Sequence, residues 1–229
     1  MVRPMPSGII FYPCIPCAAC LTLSLGWKVL FVWFSISILV LSITGDWGNV
    51  VFSLTYGVGY GGFVYVQKNK IRSFFEPLKF GRYGVFITLA LLVSVFEEIY
   101  VYSLGNKIAV PDLMFDIIIV PCEWAVWFTV WYFFLSRRFY FTEGQALVSA
   151  GIGGLLFEYG GNLVFLHNIP GFIVSIPVTI IVYAAIFVLP MQLIRFTGEN
   201  DRKIKYVVST VFPYLLTVPV ALLLYAVFP

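Results

Sequence analysis

Seven apolar runs separated by short loops constrain the fold of this chain more than any other feature of its sequence. They cover about residues 28–44, 48–66, 83–104, 113–135, 145–166, 171–194 and 206–227. A helix that crosses the hydrocarbon core of a bilayer needs about 20 mostly apolar residues. Only 11% of the 229 residues are charged, whereas a soluble domain carries about 25%. The sequence therefore excludes a soluble domain and predicts an all-α, polytopic membrane helical bundle with seven spans.

The N-terminal segment, residues 1–27, is set apart from the single transmembrane domain predicted over residues 28–229. It is apolar, but Pro13 and Pro16 interrupt it and no polar loop follows it. An eighth span, a re-entrant or interfacial segment and an uncleaved signal-like start all remain open for it.

Three of the four cysteines also lie in this segment, in a C-x-x-C-x-x-C pattern: Cys14, Cys17 and Cys20. Such spacing occurs in disulfide oxidoreductases and in metal sites. An iron–sulfur site would need a fourth thiolate, and Cys122 is predicted near the middle of another span. Small packing residues or a lipidation target is the favoured interpretation.

Glycines recur in two of the predicted spans. Gly57 and Gly61 form a G-x-x-x-G pair in the second span, and the fifth contains Gly151, Gly153 and Gly154. Small residues at this spacing let helix backbones approach closely in lipid. Helix packing is therefore predicted for Gly57 and Gly61, with a ligand site against the bare backbone as the alternative.

The basic residues are concentrated in alternate loops, which predicts how the spans are oriented. Eleven of them lie in three loops: Lys68, Lys70, Arg72, Lys79, Arg82, Arg137, Arg138, Arg195, Arg202, Lys203 and Lys205. The intervening loops hold a single lysine, Lys107. Because Lys and Arg accumulate on the cytoplasmic side, the sequence predicts an integral plasma-membrane protein with its C-terminus outside. The same loops account for the net charge of +3, so no nucleic-acid partner is predicted.

Carboxyl groups inside the predicted spans are the main candidates for function. Five acidic residues have this position: Glu97, Glu98, Asp116, Glu123 and Glu158. A charge in the hydrocarbon core is costly, so such residues usually face an interior cavity. Helical spacing places Asp116, Glu123 and Trp127 on one stripe, and Glu98 on one face with Tyr102. An acidic cavity in the outer half of the bilayer is therefore predicted.

No Lys or Arg lies within the spans that carry these acids. Five carboxylates in a low-dielectric site cannot all be ionised without counter-charges, so protons should be shared among them. A bound cation is the other way to balance their charge, and hydrogen bonding between helices is a purely structural use of protonated acids. Neither a metal site nor a cofactor is predicted.

Two short motifs resemble those of membrane carotenoid-biosynthesis proteins over about 30 residues. Tyr100-x-Tyr102-x-Leu104-Gly105, followed by Val110-Pro111 and Trp124, resembles the carotenoid-hydratase type. Val120-Pro121-Cys122-Glu123 and the aromatic run after it are similar to the Pro-x-Glu-Glu-x-x-Phe-Phe signature of small membrane lycopene cyclases. In this chain Trp124 stands at the second glutamate of that signature. The resemblance implies that Glu98 and Glu123 correspond to acidic residues near a polyene.

The first functional hypothesis is a cofactor-free membrane enzyme, such as a cyclase or hydratase, acting on an isoprenoid or lipid by acid–base chemistry. Glu98 and Glu123 would be the acid and the base, and Glu158 would support them. A second set of residues would contact the substrate: Glu97, Tyr100, Tyr102, Asp116, Trp124, Trp127 and Asn162. The aromatic faces in this set could stabilise a carbocation.

Two other functions remain open on the same residues. The carboxyl groups could form the ion site of a proton- or cation-coupled transporter or channel. They could also serve assembly alone, in a structural subunit of a membrane complex. A membrane lipid or isoprenoid is the predicted partner, and a homo-oligomer or a membrane complex is compatible with the sequence.

Overall fold

The computed structural model describes residues 25–75, 81–106, 112–160 and 168–227, and within these ranges the chain is helical, with one isolated β-bridge and no strand. We number eight helices in chain order: α1 (Leu25–Thr44), α2 (47–66), α3 (Lys68–Phe75), α4 (Arg82–Ser103), α5 (Leu113–Arg138), α6 (Glu143–Tyr159), α7 (Ile169–Met191) and α8 (Ile204–Val227). Two of them contain π-helical stretches, Ser53–Tyr60 in α2 and Trp131–Leu135 in α5.

Five of these helices are long and apolar enough to cross a membrane, namely α1, α4, α5, α7 and α8. Each of the seven predicted spans coincides with a helix, but α2 and α6 do not meet this standard. The π-helical stretch divides α2 into pieces of six, eight and six residues, and α6 has 17 described residues. The all-helical prediction is thus confirmed, and the count of seven spans is not.

Polar side chains at the helix starts fix where the helices begin. Asp112 accepts hydrogen bonds from two main-chain N–H groups in the first turn of α5. Thr142 and Gln145 form a reciprocal capping box at the start of α6, and Asn168 caps α7. These caps satisfy N–H groups that have no partner within the helix. The cap at Asp112 also sets the position of Asp116, one turn further along α5.

Helix α7 is the centre of the bundle and contacts α1, α2, α4 and α6. Glycines allow its neighbours to approach closely. A Cβ atom added to Gly61 of α2 would lie 2.8 Å from the Cβ of Ala185, and one added to Gly57 would lie 3.1 Å from Ile181. In α6, Gly154 lies directly against the ring of Tyr183. The packing role predicted for the Gly57–Gly61 pair is therefore confirmed.

The bundle has two chemically different ends. At one, which we call the basic end, the Arg82 side chain donates a hydrogen bond to the Leu193 carbonyl, and the buried Lys205 ammonium donates to Tyr140 O and Gln145 Oε1. At the other, the acidic end, α4 ends, α5 begins and the described part of α6 ends. This antiparallel order brings acids that are distant in sequence to the same end.

Candidate functional site

Carboxyl groups from α4, α5 and α6 converge at the acidic end. Glu98 of α4 lies next to Glu97 and close enough to Asp116 of α5 to interact with it electrostatically. Glu158 of α6 lies within electrostatic range of Glu97 and Glu98, and Glu123 within range of Asp116. We call these five residues the acidic cluster. The structure therefore brings together all five acids that the sequence singled out.

Members of the acidic cluster differ in depth. Asp116 has no exposed surface, and Glu97 and Glu98 are buried at 8% and 9% exposure. Glu123 is half-buried, whereas Glu158 is exposed. The cluster thus extends from the interior of the bundle to its surface. Within the described ranges, no three His, Cys, Asp or Glu side chains are grouped so that they could hold a metal ion.

A tyrosine on α7 links the cluster to the aromatic core. The Tyr183 hydroxyl donates a hydrogen bond of 2.6 Å to Glu158 Oε1. The Tyr183 ring packs against Trp124, with 5.2 Å between ring centroids, and Trp124 stacks on Phe157 at 5.5 Å. Trp124, Phe157 and Tyr183, which we call the aromatic wall, therefore stand next to the cluster.

Trp127 lies one turn deeper than the aromatic wall. It contacts Trp124 edge-on at 5.2 Å and is enclosed by Trp131 and Phe187, with no exposed surface. An aromatic side chain in this position contributes mainly through the apolar area it buries. Of the two predicted tryptophans, Trp124 therefore borders the acids and Trp127 belongs to the core.

The two predicted tyrosines of α4 do not join the aromatic wall. The Tyr100 hydroxyl lies 2.8 Å from Thr55 Oγ1 of α2, and its ring packs near Phe52. Tyr102 shares the helical face of Glu98, but it lies in the last turn of α4 and is exposed. Tyr100 thus connects α4 to α2 at the edge of the cluster.

Several residues discussed from the sequence lie outside the described residues. They are Cys14, Cys17, Cys20, Lys79, Lys107, Val110, Pro111 and Asn162, together with the rest of the N-terminal segment through residue 24. Cys122 is described and is a free, exposed cysteine on α5.

Two tyrosines at the site are not identified by the sequence patterns. Tyr183 contacts Glu158 directly, and Tyr56 is buried within electrostatic range of Glu97 and Glu98. Tyr183 is one of 14 tyrosines and stands in an apolar run without a motif, so only the packing of α7 against α6 identifies it. Tyr56 had a local signal, because it lies beside Gly57, but that pattern was interpreted as packing.

An ion triad stabilises the basic end. Glu143, at the start of α6, accepts hydrogen bonds of 2.6 Å from Lys68 and 2.6 Å from Arg72. Burial alone would raise the pKa of Glu143, but the hydrogen bonds and positive charges of the two cations outweigh it, so its pKa is lowered. Burial would lower the pKa of Lys68, but its hydrogen bond to Glu143 leaves that pKa raised. The triad joins α3 to α6.

No protein-family model, curated protein or solved structure matches this chain. The short resemblance to carotenoid-biosynthesis proteins therefore stays a prediction, and the functional argument rests on the site itself.

Proposed function

We propose that the protein is an integral membrane enzyme that performs acid–base chemistry on an isoprenoid or another unsaturated lipid. One observation carries the proposal: the contact between the acidic cluster and the aromatic wall, made where Tyr183 bonds Glu158 and packs on Trp124. In the same proposal α2 and α6 complete a set of seven spans, in the plasma membrane, with the C-terminus outside. The acidic cluster then lies in the outer half of the bilayer.

The proposed chemistry needs only groups that the cluster contains. A protonated carboxyl, assigned to Glu98, gives its proton to one carbon of a C=C bond and leaves a carbocation. A second double bond of the same chain attacks that cation and forms a C–C bond. The carboxylate of Glu123 then removes a proton from a neighbouring carbon, so the product is an isomer of the substrate. No oxidant or reductant is consumed, and the proton taken up by Glu123 returns to Glu98 before the next turnover, which restores both groups.

The surroundings of the cluster support this assignment. Trp124 is an aromatic ring of the kind that stabilises a cation; it is buried beside the cluster, and its stacking on Phe157 holds it in place. Glu158 is exposed, so the cluster reaches the bundle surface, from which a lipid chain could approach the buried acids.

The test compares the native protein with the double variant Glu98→Gln/Glu123→Gln. Both are purified in mild detergent, and bound lipids are identified by absorption spectrum and mass spectrometry. We expect both to retain the same lipid, and the double variant to convert it at least about 100-fold more slowly, because general acid–base catalysis contributes about 10²–10⁴-fold. Glu199→Gln, an exposed acid at the basic end, is the matched control. Conversion at the native rate by the double variant would refute the proposal.

A proton- or cation-coupled transporter is the second candidate, and one observation favours it. Tyr56 and Tyr60 stack at 5.0 Å along the π-helical stretch of α2, and within the part of the chain that the structure describes their buried hydroxyls have no hydrogen-bond partner. These two hydroxyl groups form a row of polar groups that runs from the acidic cluster toward the basic end. Proton flux into liposomes that is abolished by Tyr60→Phe, without lipid conversion, would favour the transporter over the enzyme.

A further inference from the structure

A cavity of about 440 Å³ opens at the basic end, away from the acidic cluster. Its walls come from the end of α3, the starts of α4 and α6 and the segment after α7. Its polar lining residues are Arg72, Arg82, Glu143, Gln192 and Arg195. We propose that this cavity binds a phosphate group, carried by a membrane lipid or free in solution.

The charge of the lining is the first reason. Among the described residues, three arginines and one glutamate give the lining a net charge of +2. Each arginine comes from a different segment: Arg72 from α3, Arg82 from α4 and Arg195 from the chain after α7. The planar guanidinium group binds phosphate oxygens through paired hydrogen bonds, which makes arginine the preferred residue for such a site. Folding thus collects from distant parts of the sequence the donors that a phosphate requires.

Three of the polar lining side chains, Arg72, Arg82 and Gln192, are also held in place before a ligand arrives. Glu143 fixes Arg72 through a hydrogen bond of 2.6 Å, and the Arg82 Nε donates to the Leu193 carbonyl at 2.8 Å. Gln192 is 1% exposed, and its Nε2 donates to the Val188 carbonyl at 2.7 Å. Its Oε1 has no hydrogen-bond partner among the described residues. That buried acceptor can receive a hydrogen bond from a P–OH group or from water on the phosphate.

Membrane topology alone does not explain this arrangement. The positive-inside rule requires basic residues on one side of the membrane, but it does not require them to converge on a cavity. Arg138 and Arg202 lie at the same end, are exposed and do not line it. They satisfy the rule without forming a site, so they provide natural controls.

A second cavity of about 450 Å³, mostly apolar, lies beside the first. Gly144 lines the apolar cavity and Glu143 lines the basic one, so the two flank the first turn of α6. Along α7, Val188 lines the apolar cavity and Gln192, one turn further, lines the basic one. An acyl chain in the former would bring its phosphate to the latter, which favours a lipid as the carrier.

The test uses the full chain in a neutral detergent and three probes: inorganic phosphate, dioctanoyl phosphatidic acid and dioctanoylglycerol, which lacks phosphate. The Tm is followed as each probe is titrated, because a ligand that binds the folded state raises it. We expect saturable stabilisation by dioctanoyl phosphatidic acid and none by dioctanoylglycerol. Arg195→Gln should weaken the apparent affinity about tenfold, since it removes one charge-assisted contact. Arg202→Gln should change it less than about twofold.

The outcomes separate the two carriers from each other and from failure. Equal affinity for inorganic phosphate would assign the site to the free ion, whereas a preference for phosphatidic acid would assign it to a lipid. The proposal is overturned if neither inorganic phosphate nor dioctanoyl phosphatidic acid gives saturable stabilisation, or if Arg195→Gln and Arg202→Gln weaken binding equally. Arg195 is exposed, so its variant should retain the native Tm without ligand. The test involves no residue of the acidic cluster, and its result is independent of the enzymatic proposal.

Discussion

The contact between α2 and α7 can be tested with two neighbouring glycines that differ in one respect. Gly61 faces α7, and an added Cβ would lie 2.8 Å from the Ala185 Cβ. Gly62 is next to it, and an added Cβ would meet nothing within 4 Å. Both occupy the last α-helical segment of α2. Gly61→Ala and Gly62→Ala therefore add the same methyl group to the same helix. In Gly61→Ala the methyl group meets α7, and in Gly62→Ala it meets no other helix.

The expected magnitudes follow from these distances. Carbon atoms pack best about 3.5–4.0 Å apart, so Gly61→Ala forces the two helices about 0.7 Å or more apart at this point. Such overpacking costs about 1–3 kcal/mol, whereas replacing a helical glycine by alanine gains about 0.5–1 kcal/mol. Gly62→Ala should therefore stabilise the protein by about 0.5–1 kcal/mol. Gly61→Ala should be about 1–3 kcal/mol less stable than Gly62→Ala.

The assay is reversible unfolding in mixed micelles of increasing SDS content, followed by the fluorescence of the core tryptophans. A double variant, Gly61→Ala/Ala185→Gly, removes the methyl group that Gly61→Ala meets, so it should recover part of the loss as a favourable coupling free energy. If Gly61→Ala is as stable as Gly62→Ala, or if Ala185→Gly produces no recovery, α2 and α7 do not pack as described and the argument from glycine spacing fails.

Two further predictions concern the basic end. Because the folded-state pKa of Glu143 is lowered from 4.5, with its two hydrogen bonds outweighing burial, its stabilisation is complete above about pH 4.5 and is lost as the pH falls further. Glu143→Gln should therefore lower the free energy of unfolding by about 1 kcal/mol at pH 7 and by progressively less below pH 4.5. A loss that does not depend on pH would contradict the lowered pKa of Glu143. Lys205→Met should lower the free energy of unfolding by about 2 kcal/mol, because it removes the charge-assisted hydrogen bonds of a buried ammonium group. Lys203 is exposed, so Lys203→Met should lower it by less than about 0.5 kcal/mol. Equal unfolding midpoints for the two variants would show that the Lys205 hydrogen bonds do not stabilise the fold.

The helical architecture could be predicted because apolar runs and basic loops are local signals. The sequence placed a helix at each of the seven apolar runs, and the structure has one there. It did not reveal the π-helical stretch Ser53–Tyr60, because the same apolar side chains are compatible with α-helical hydrogen bonding. Whether a run departs from that pattern depends on tertiary contacts, here the close approach of α2 to α7.

The sequence indicates which acids lie together, but it does not indicate which residues contact them. A carboxyl group in an apolar run is conspicuous, so Glu98, Asp116 and Glu158 could be identified one at a time. Their grouping followed from depth, since alternate helices run in opposite directions. Tyr183 could not be identified in this way, because its role depends on one rotational setting of α7 against α6. Helical phase places Tyr102 on the same face as Glu98, but it does not reveal where neighbouring helices stop covering that face, and Tyr102 is exposed.

The acidic cluster and the arginines of the basic cavity lie at opposite ends of the bundle, which gives the molecule an electrical asymmetry. In a polarised membrane, a full charge that crosses the bilayer changes free energy by about 2.3 kcal/mol per 100 mV. A proton that reaches the acidic cluster from the acidic end traverses a small fraction of that field, whereas one arriving from the basic end traverses most of it. The voltage dependence of protonation therefore identifies the compartment from which the cluster is supplied with protons.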